Sequence, residues 1–157
     1  MVAEPRGLIV TADDFGLHPR VNLAVEQAHR HGVLTAASLM IGAPAAADAV
    51  ARARELPGLR VGLHLVLADG DAVTPRAGIA ALLDEHGRFG DNMVRDGVRF
   101  FFLPHVRKQL AREIRAQFDA FLSHVTDPGR SLTSPTVPGH VRVTKLPGCL
   151  PASRELR

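Results

Sequence analysis

The sequence predicts an α/β fold on a parallel sheet, open or closed into a barrel. Short apolar runs at 7–12 (GLIVTA), 35–41 (TAASLMI) and 60–67 (RVGLHLVL) have the continuous hydrophobicity of strands covered on both faces. Helical segments separate these runs, and the connections are short. A βαβαβ order with short connections brings the strands together in parallel.

The first helix is expected over 19–31. Pro19 suits a first helical position, Val21, Val25 and Ala28 recur at helical spacing, and Gly32 follows basic residues as a stop. A second helix opens at Pro44 in the alanine-rich segment 44–55 and closes at LPGL. Beyond the third run, 68–78 and 84–92 read as loops from their Gly, Pro and Asp content, flanking a short helical piece, IAALLD, at 79–84. From Pro104 the apolar residues Val106, Leu110, Ile114, Phe118 and Phe121 or Leu122 recur every three or four positions, predicting an amphipathic helix to about residue 124. Phe100 to Phe102 are expected in the core. Residues 126–157 hold five of the eleven prolines, five basic against two acidic residues and no Phe, and no helix is predicted there. The chain therefore divides into an α/β portion, 1–125, and an irregular tail, 126–157.

Composition narrows the classes. With 157 residues, 46% hydrophobic and 22% charged, one globular domain or part of one is expected. No apolar run reaches the roughly 18 residues of a transmembrane helix, and the start MVAEPRG lacks a secretion-signal pattern, so a cytoplasmic location is expected. Cys149 is the single cysteine, which excludes an internal disulfide. Lys and Arg exceed Asp and Glu by 19 − 16 = 3. No block of five or six basic residues occurs and Trp and Tyr are absent, so a nucleic-acid partner is not expected.

Chemistry gathers at the first strand. The run in GLIVTADDFGLHP ends against two adjacent carboxylates, Asp13 and Asp14. Ligands bind at the carboxyl ends of the strands in parallel sheets. In an extended strand the two side chains would point to opposite sides, one toward a cation and the other toward substrate or water. The alternative is that one Asp caps the following helix and the other is solvated. His64, inside VGLHLVL, lies three strands into the same sheet. Alone it reads as a hydrogen-bonded core histidine; with the Asp pair it makes a carboxylate–imidazole metal site.

The motifs ADDFG with a downstream Asn, TAASLM and GLHL occur in that order, and GVRFFF and QLAREIRAQFDAF follow. Over residues 6 to about 122 the chain resembles the N-terminal half of the YdjC/ChbG-type carbohydrate deacetylases, in particular the hopanoid-biosynthesis-associated branch, HpnK. The resemblance implies a barrel-like, TIM-barrel-related α/β scaffold, here apparently truncated, and a metal-dependent hydrolase that removes N-acetyl groups from amino sugars. It implies Asp13 as general base and Asp14 and His64 at metal-binding positions, with one divalent ion, zinc, magnesium or cobalt, as cofactor. Asn22 matches a family position near the active-site loop, the alternative being a bond to local backbone, and His18 stands close enough to the Asp pair to touch substrate, the alternative being that it solvates or caps the first helix. The implied substrate is an acetylated amino sugar such as an N-acetylglucosaminyl group on a hopanoid lipid.

After the long helix the family carries a second histidine motif resembling D-x-H-x-H-x-H. At the corresponding place this sequence has SPTVPGHVRVTKLPG, where His140 aligns as a metal ligand while Pro138, Arg142 and Thr144 stand at the Asp and later His positions. The tail is therefore read as divergent, no general acid is identified, and a sheet left uncovered after the long helix is expected to self-associate.

The remaining histidines have local explanations. His29 and His31 solvate or cap the first helix, and His86, His105 and His124 lie at the surface. Two other functions are compatible with the residues. A non-catalytic remnant would bind a sugar or partner without turnover. A magnesium-binding receiver-like domain would need an acceptor aspartate at the end of the third strand, where GLHL stands.

Overall fold

The computed structural model describes residues 7–125, in which three parallel strands lie side by side in chain order. β1 spans Thr11–Phe15, β2 Ala36–Leu39 and β3 Arg60–Leu63. Helices α1 (Pro19–His31) and α2 (Ala46–Arg54) make the two crossovers, giving the expected βαβαβ order and the mixed α/β class. Three strands form an open sheet among the described residues.

α1 begins and ends where its sequence signals it. Pro19 occupies the first turn, the His18 ring accepts a hydrogen bond from the Arg20 amide, and His29, Arg30 and His31 lie in the last turn, where the helix dipole favours positive charge. His29 also bonds the Leu34 carbonyl, at 2.8 Å, tying the end of α1 to the turn before β2.

β1 departs from expectation. It was expected over 7–12, yet the regular strand begins at Thr11 and runs through both carboxylates. Leu8 and Ile9 are 83% and 68% exposed. Pairing with β2 rather than apolarity sets the strand, through the register Thr11↔Ala36, Ala12↔Ala37 and Phe15↔Leu39. β3 is likewise shorter than its apolar run and ends at Leu63, where it pairs with Leu39.

Two cores flank the sheet. Phe15, Ala37 and Leu39 pack with Val25 of α1 and Ala49, Val50 and Ala53 of α2. The second core joins Met40, Val66, Ile79, Leu82, Phe89 and Val106 under the later helices. Those helices are α3 (Arg76–Ile79), followed by a 3₁₀ turn at Ala80–Leu82, then α4 (Met93–Phe102) and α5 (Pro104–Val125). The short helical piece expected at 79–84 thus lies slightly earlier.

α4 was not anticipated, and the expectation that Phe100 to Phe102 pack in the core is corrected. Phe100 packs against the second core, whereas Phe101 and Phe102 are 73% and 68% exposed and meet edge to face, centroids 5.0 Å apart. Consecutive helical residues are rotated by about 100°, so three in a row cannot face one core.

α5 buries polar side chains as well as Val106. Gln117 accepts from the Val66 amide at 3.0 Å and donates to the Val66 carbonyl at 2.8 Å. Glu113 accepts from the amides of Val73 and Thr74 at 2.9 and 2.8 Å, and from the Gln117 amide at 2.8 Å. This set fastens the segment after β3 to α5.

No described helix is long and apolar enough to cross a membrane. His140 and the rest of the tail lie outside the described residues.

Candidate active site

Two residues of β1, Asp13 and Asp14, stand between the pairs Ala12↔Ala37 and Phe15↔Leu39, where β2 has only Ser38. Asp13 and Asp14 therefore occupy a one-residue bulge, and Asp14 takes a left-handed conformation, φ 61. The bulge breaks the strict alternation expected of an extended strand and turns both carboxylates onto one group of side chains. Strained backbone of this kind clusters where a side chain must be aimed.

Ser38 of β2 and His64, just beyond β3, complete the group. Ser38 Oγ donates to Asp13 Oδ1 at 2.8 Å and lies 3.1 Å from His64 Nδ1. The same ring nitrogen is 3.7 Å from Asp14 Oδ1 and 3.4 Å from the Asp14 amide. The His64 amide donates to the Leu39 carbonyl at 2.8 Å, fixing the ring at the sheet's end. Because the single Ser38 hydroxyl hydrogen goes to Asp13, the His64 tautomer decides the rest. With hydrogen on Nδ1 the ring donates to Ser38 Oγ; with hydrogen on Nε2 the Nδ1 lone pair faces Asp14, the form that a cation requires.

Asp14 and His64 fit a divalent ion as two of its ligands. Bonds of about 2.0–2.2 Å from carboxylate oxygen and imidazole nitrogen to one ion span the observed gap at an ordinary inter-ligand angle. No cluster of three or more His, Cys, Asp or Glu occurs among the described residues, so two ligands are what this region offers.

The loop after β1 is held from below. Gly16 has φ +103, and a Cβ there would come within 3.0 Å of the Met40 carbonyl oxygen. Its amide donates to Asn22 Oδ1 at 2.7 Å, and Asn22 Nδ2 donates to the Ala45 carbonyl at 3.0 Å and to Asp48 Oδ2 at 2.7 Å. Asn22 is 0% exposed, so here it joins the loops after β1 and β2 rather than facing a ligand directly. Asp48 continues to Arg52, which also meets Glu26, itself paired with Arg30. Arg30 and Arg52 hold the Glu26 carboxyl below the usual carboxylate range, and Arg52 with Asn22 does the same for Asp48.

A cavity of about 460 Å³ opens beside the cluster. Asp14 and His64 lie at one end; Leu65 to Asp69, Arg88, Met93, Asp96 and Phe100 form other walls. Asp96 is buried and paired with Arg95 and Arg99. His18 caps α1 and is not among the cavity's lining residues.

Sequence reasoning named Asp13, Asp14 and His64, which the fold brings together, but passed over Ser38. A lone hydroxyl inside the apolar run TAASLM, 5% exposed in the fold, was its signal. Asp69 and Arg88 carried no such signal because they come from irregular segments, and Asp96 lies in α4, a helix that was not anticipated.

A parallel sheet with an aspartate pair and a histidine at its carboxyl end defines a mixed α/β protein whose candidate site lies where such sheets bind ligands. The chain belongs to the YdjC-like family, whose model matches residues 7–129. It is 39% identical to a carbohydrate deacetylase of Brevibacillus brevis over 144 residues, 92% of this chain and 52% of that protein. It is 36% identical to a carbohydrate deacetylase of Geobacillus stearothermophilus, over 97% of this chain and 56% of the relative. A chitooligosaccharide deacetylase of Enterobacter sp. (strain 638) is 35% identical over 92% of this chain and 52% of its own length. The chain thus spans about half the length of the curated relatives it matches. A solved structure from Enterococcus faecalis V583, of a protein named for a proposed role in cellobiose-phosphate cleavage, superposes with a TM-score of 0.63. It is 30% identical over 78% of this chain and 44% of that one.

Proposed function

We propose that this chain carries part of a metal-dependent deacetylase site that removes N-acetyl groups from amino sugars. The observation that carries the reading is the convergence of Asp13, Asp14, Ser38 and His64 at the ends of three adjacent strands. The deacetylase names of relatives 35–39% identical over most of this chain supply the reaction class. Asp14 and His64 would hold the ion and Asp13 would act as base. The barrel-like completion of the sheet, a third ligand and self-association are parts of the same proposal. An N-acetylglucosaminyl group on a hopanoid-type lipid is the substrate that the sequence resemblance adds.

A divalent ion bound there supplies Lewis acidity for an unreactive acetamide and lowers the pKa of a water molecule. Asp13 removes a proton from the attacking water while Ser38 holds one carboxylate oxygen in place. The water oxygen adds to the acetyl carbon, the proton held by Asp13 passes to the nitrogen as the C–N bond breaks, and the second proton of the water goes from the nascent acetic acid to the released amine, leaving acetate and an ammonium group. Ser38 also touches His64, so it keeps base and ligand in fixed relation.

Acetate release from N-acetylglucosamine oligosaccharides with added Zn²⁺, Co²⁺ or Mg²⁺ tests the reading, comparing this chain with Asp13→Asn. Metal-dependent release lost in Asp13→Asn is expected. Release indifferent to that substitution would remove Asp13 as base.

A further inference from the structure

Away from Asp13 and Asp14, residues 69–71 and 88–90 form a small antiparallel ribbon. The Asp69 amide donates to the Gly90 carbonyl at 3.1 Å, the Phe89 amide donates to the Gly70 carbonyl at 2.9 Å, and Asp71 bridges Arg88. Asp69 is left-handed, φ 44, and the carboxylate-bearing residue is exposed on the wall of the cavity that Asp14 and His64 share. A non-glycine residue in that conformation carries strain that the surrounding ribbon must offset. Arg88 reaches the same cavity from the opposite strand. Its Nε donates to Asp71 Oδ1 at 3.1 Å, and its two terminal nitrogens have no hydrogen-bond partner among the described residues.

We propose that Asp69 and Arg88 form a saccharide subsite, Asp69 accepting a hydroxyl hydrogen and Arg88 donating to the oxygen of a neighbouring hydroxyl. Adjacent ring hydroxyls present one donor and one acceptor side by side, which a carboxylate and a guanidinium on the walls of one cavity can meet. Met93 and Phe100 offer apolar surface to the C–H face of the same ring. An anionic ligand would set its charge against Asp69 and Asp14, so a neutral sugar fits better. The proposal rests on the carbohydrate reading of the Asp14–His64 site and names the residues that select the sugar.

Calorimetric titration of N,N′-diacetylchitobiose, with and without Zn²⁺, tests it on the full chain. Asp69→Ala and Arg88→Ala should each weaken binding about tenfold or more, the size expected for hydrogen bonds to charged groups. Zn²⁺ affinity should be unchanged in both. Asp69→Gly should bind the sugar as weakly as Asp69→Ala yet melt at a higher temperature than the unsubstituted chain, separating side chain from backbone. Asp71→Ala breaks the ion pair but keeps the guanidinium, and should bind normally. Unchanged sugar binding in Asp69→Gly and Arg88→Ala overturns the subsite alone. So does loss in Asp71→Ala equal to that in Arg88→Ala, which would mark a purely structural role. If the unsubstituted chain binds no disaccharide, the deacetylase reading falls and takes the subsite with it.

Discussion

Asp14 Oδ1 stands 3.7 Å from Nδ1 of His64, although 50 residues separate them in the chain. The approach depends on two backbone events, the bulge that turns Asp14 off β1 and the end of β3 that delivers His64 beside it.

Ser38→Ala removes the hydroxyl between Asp13 and His64 and little volume. It should cost about 1 kcal/mol of stability. Acetate release should fall about tenfold, because one carboxylate oxygen loses its fixed partner. Thermal unfolding and steady-state kinetics measure the two effects separately; an unaffected rate would show that Ser38 orients nothing in the reaction.

Asn22→Ala leaves the Gly16 amide, the Ala45 carbonyl and the Asp48 carboxylate short of a partner in a buried place. A loss of about 1–3 kcal/mol is expected for groups left so. Urea unfolding checks it. A change below about 0.5 kcal/mol would mean that water or rearrangement satisfies these atoms.

Gly16→Ala tests the turn itself. With φ +103 and a Cβ 3.0 Å from the Met40 carbonyl oxygen, the substitution should destabilise the chain and loosen the Asp14 loop. About 1–3 kcal/mol is the expected strain, again read from denaturant unfolding. Stability equal to that of the parent chain would contradict the tight approach of β1 and β2 at this point.

The legible and illegible parts of the sequence divide along physical lines. α1 was found at its own boundaries because Pro19 and Gly32 punctuate the backbone directly. α5 was legible because its apolar residues keep one face over several turns. β1 was displaced because apolar residues report burial and not hydrogen bonding, and because a bulge of two aspartates has no period. α4 was missed although its apolar positions share one face, because the three consecutive Phe were read as a core run; Val94, Val98, Phe101 and Phe102 prove to be exposed. Asp13, Asp14 and His64 were readable as a candidate group, since polar side chains at the ends of neighbouring parallel strands fall on the side of the sheet where ligands bind. Ser38 and the 69–71/88–90 ribbon were not, because their meaning lies in contacts between distant segments.

The α1–α2 brace gives a pH dependence. Glu26 and Asp48 have carboxyl groups depressed by Arg30, Arg52 and Asn22, so their stabilisation is fully present above the ordinary carboxylate pKa of about 4. It is lost as pH falls through the depressed values of the folded state, where protonation breaks the pairs with arginine. Glu26→Gln and Asp48→Asn should therefore each narrow the stability difference between pH 6 and pH 3, by a small amount because the pairs are near the surface and screened by solvent. Circular dichroism melts across that range measure it; parallel curves for parent and variants would show that these pairs contribute nothing to the acid dependence.

Calorimetric titration of Zn²⁺, Co²⁺ and Mg²⁺ into the chain decides whether Asp14 and His64 are ligands of one divalent ion. One ion per chain is predicted for the unsubstituted protein. Asp14→Ala and His64→Ala should each weaken it about 100-fold or more, beyond the effect of losing a supporting group, while circular dichroism shows the fold retained. Metal affinity unchanged in both variants would contradict the site.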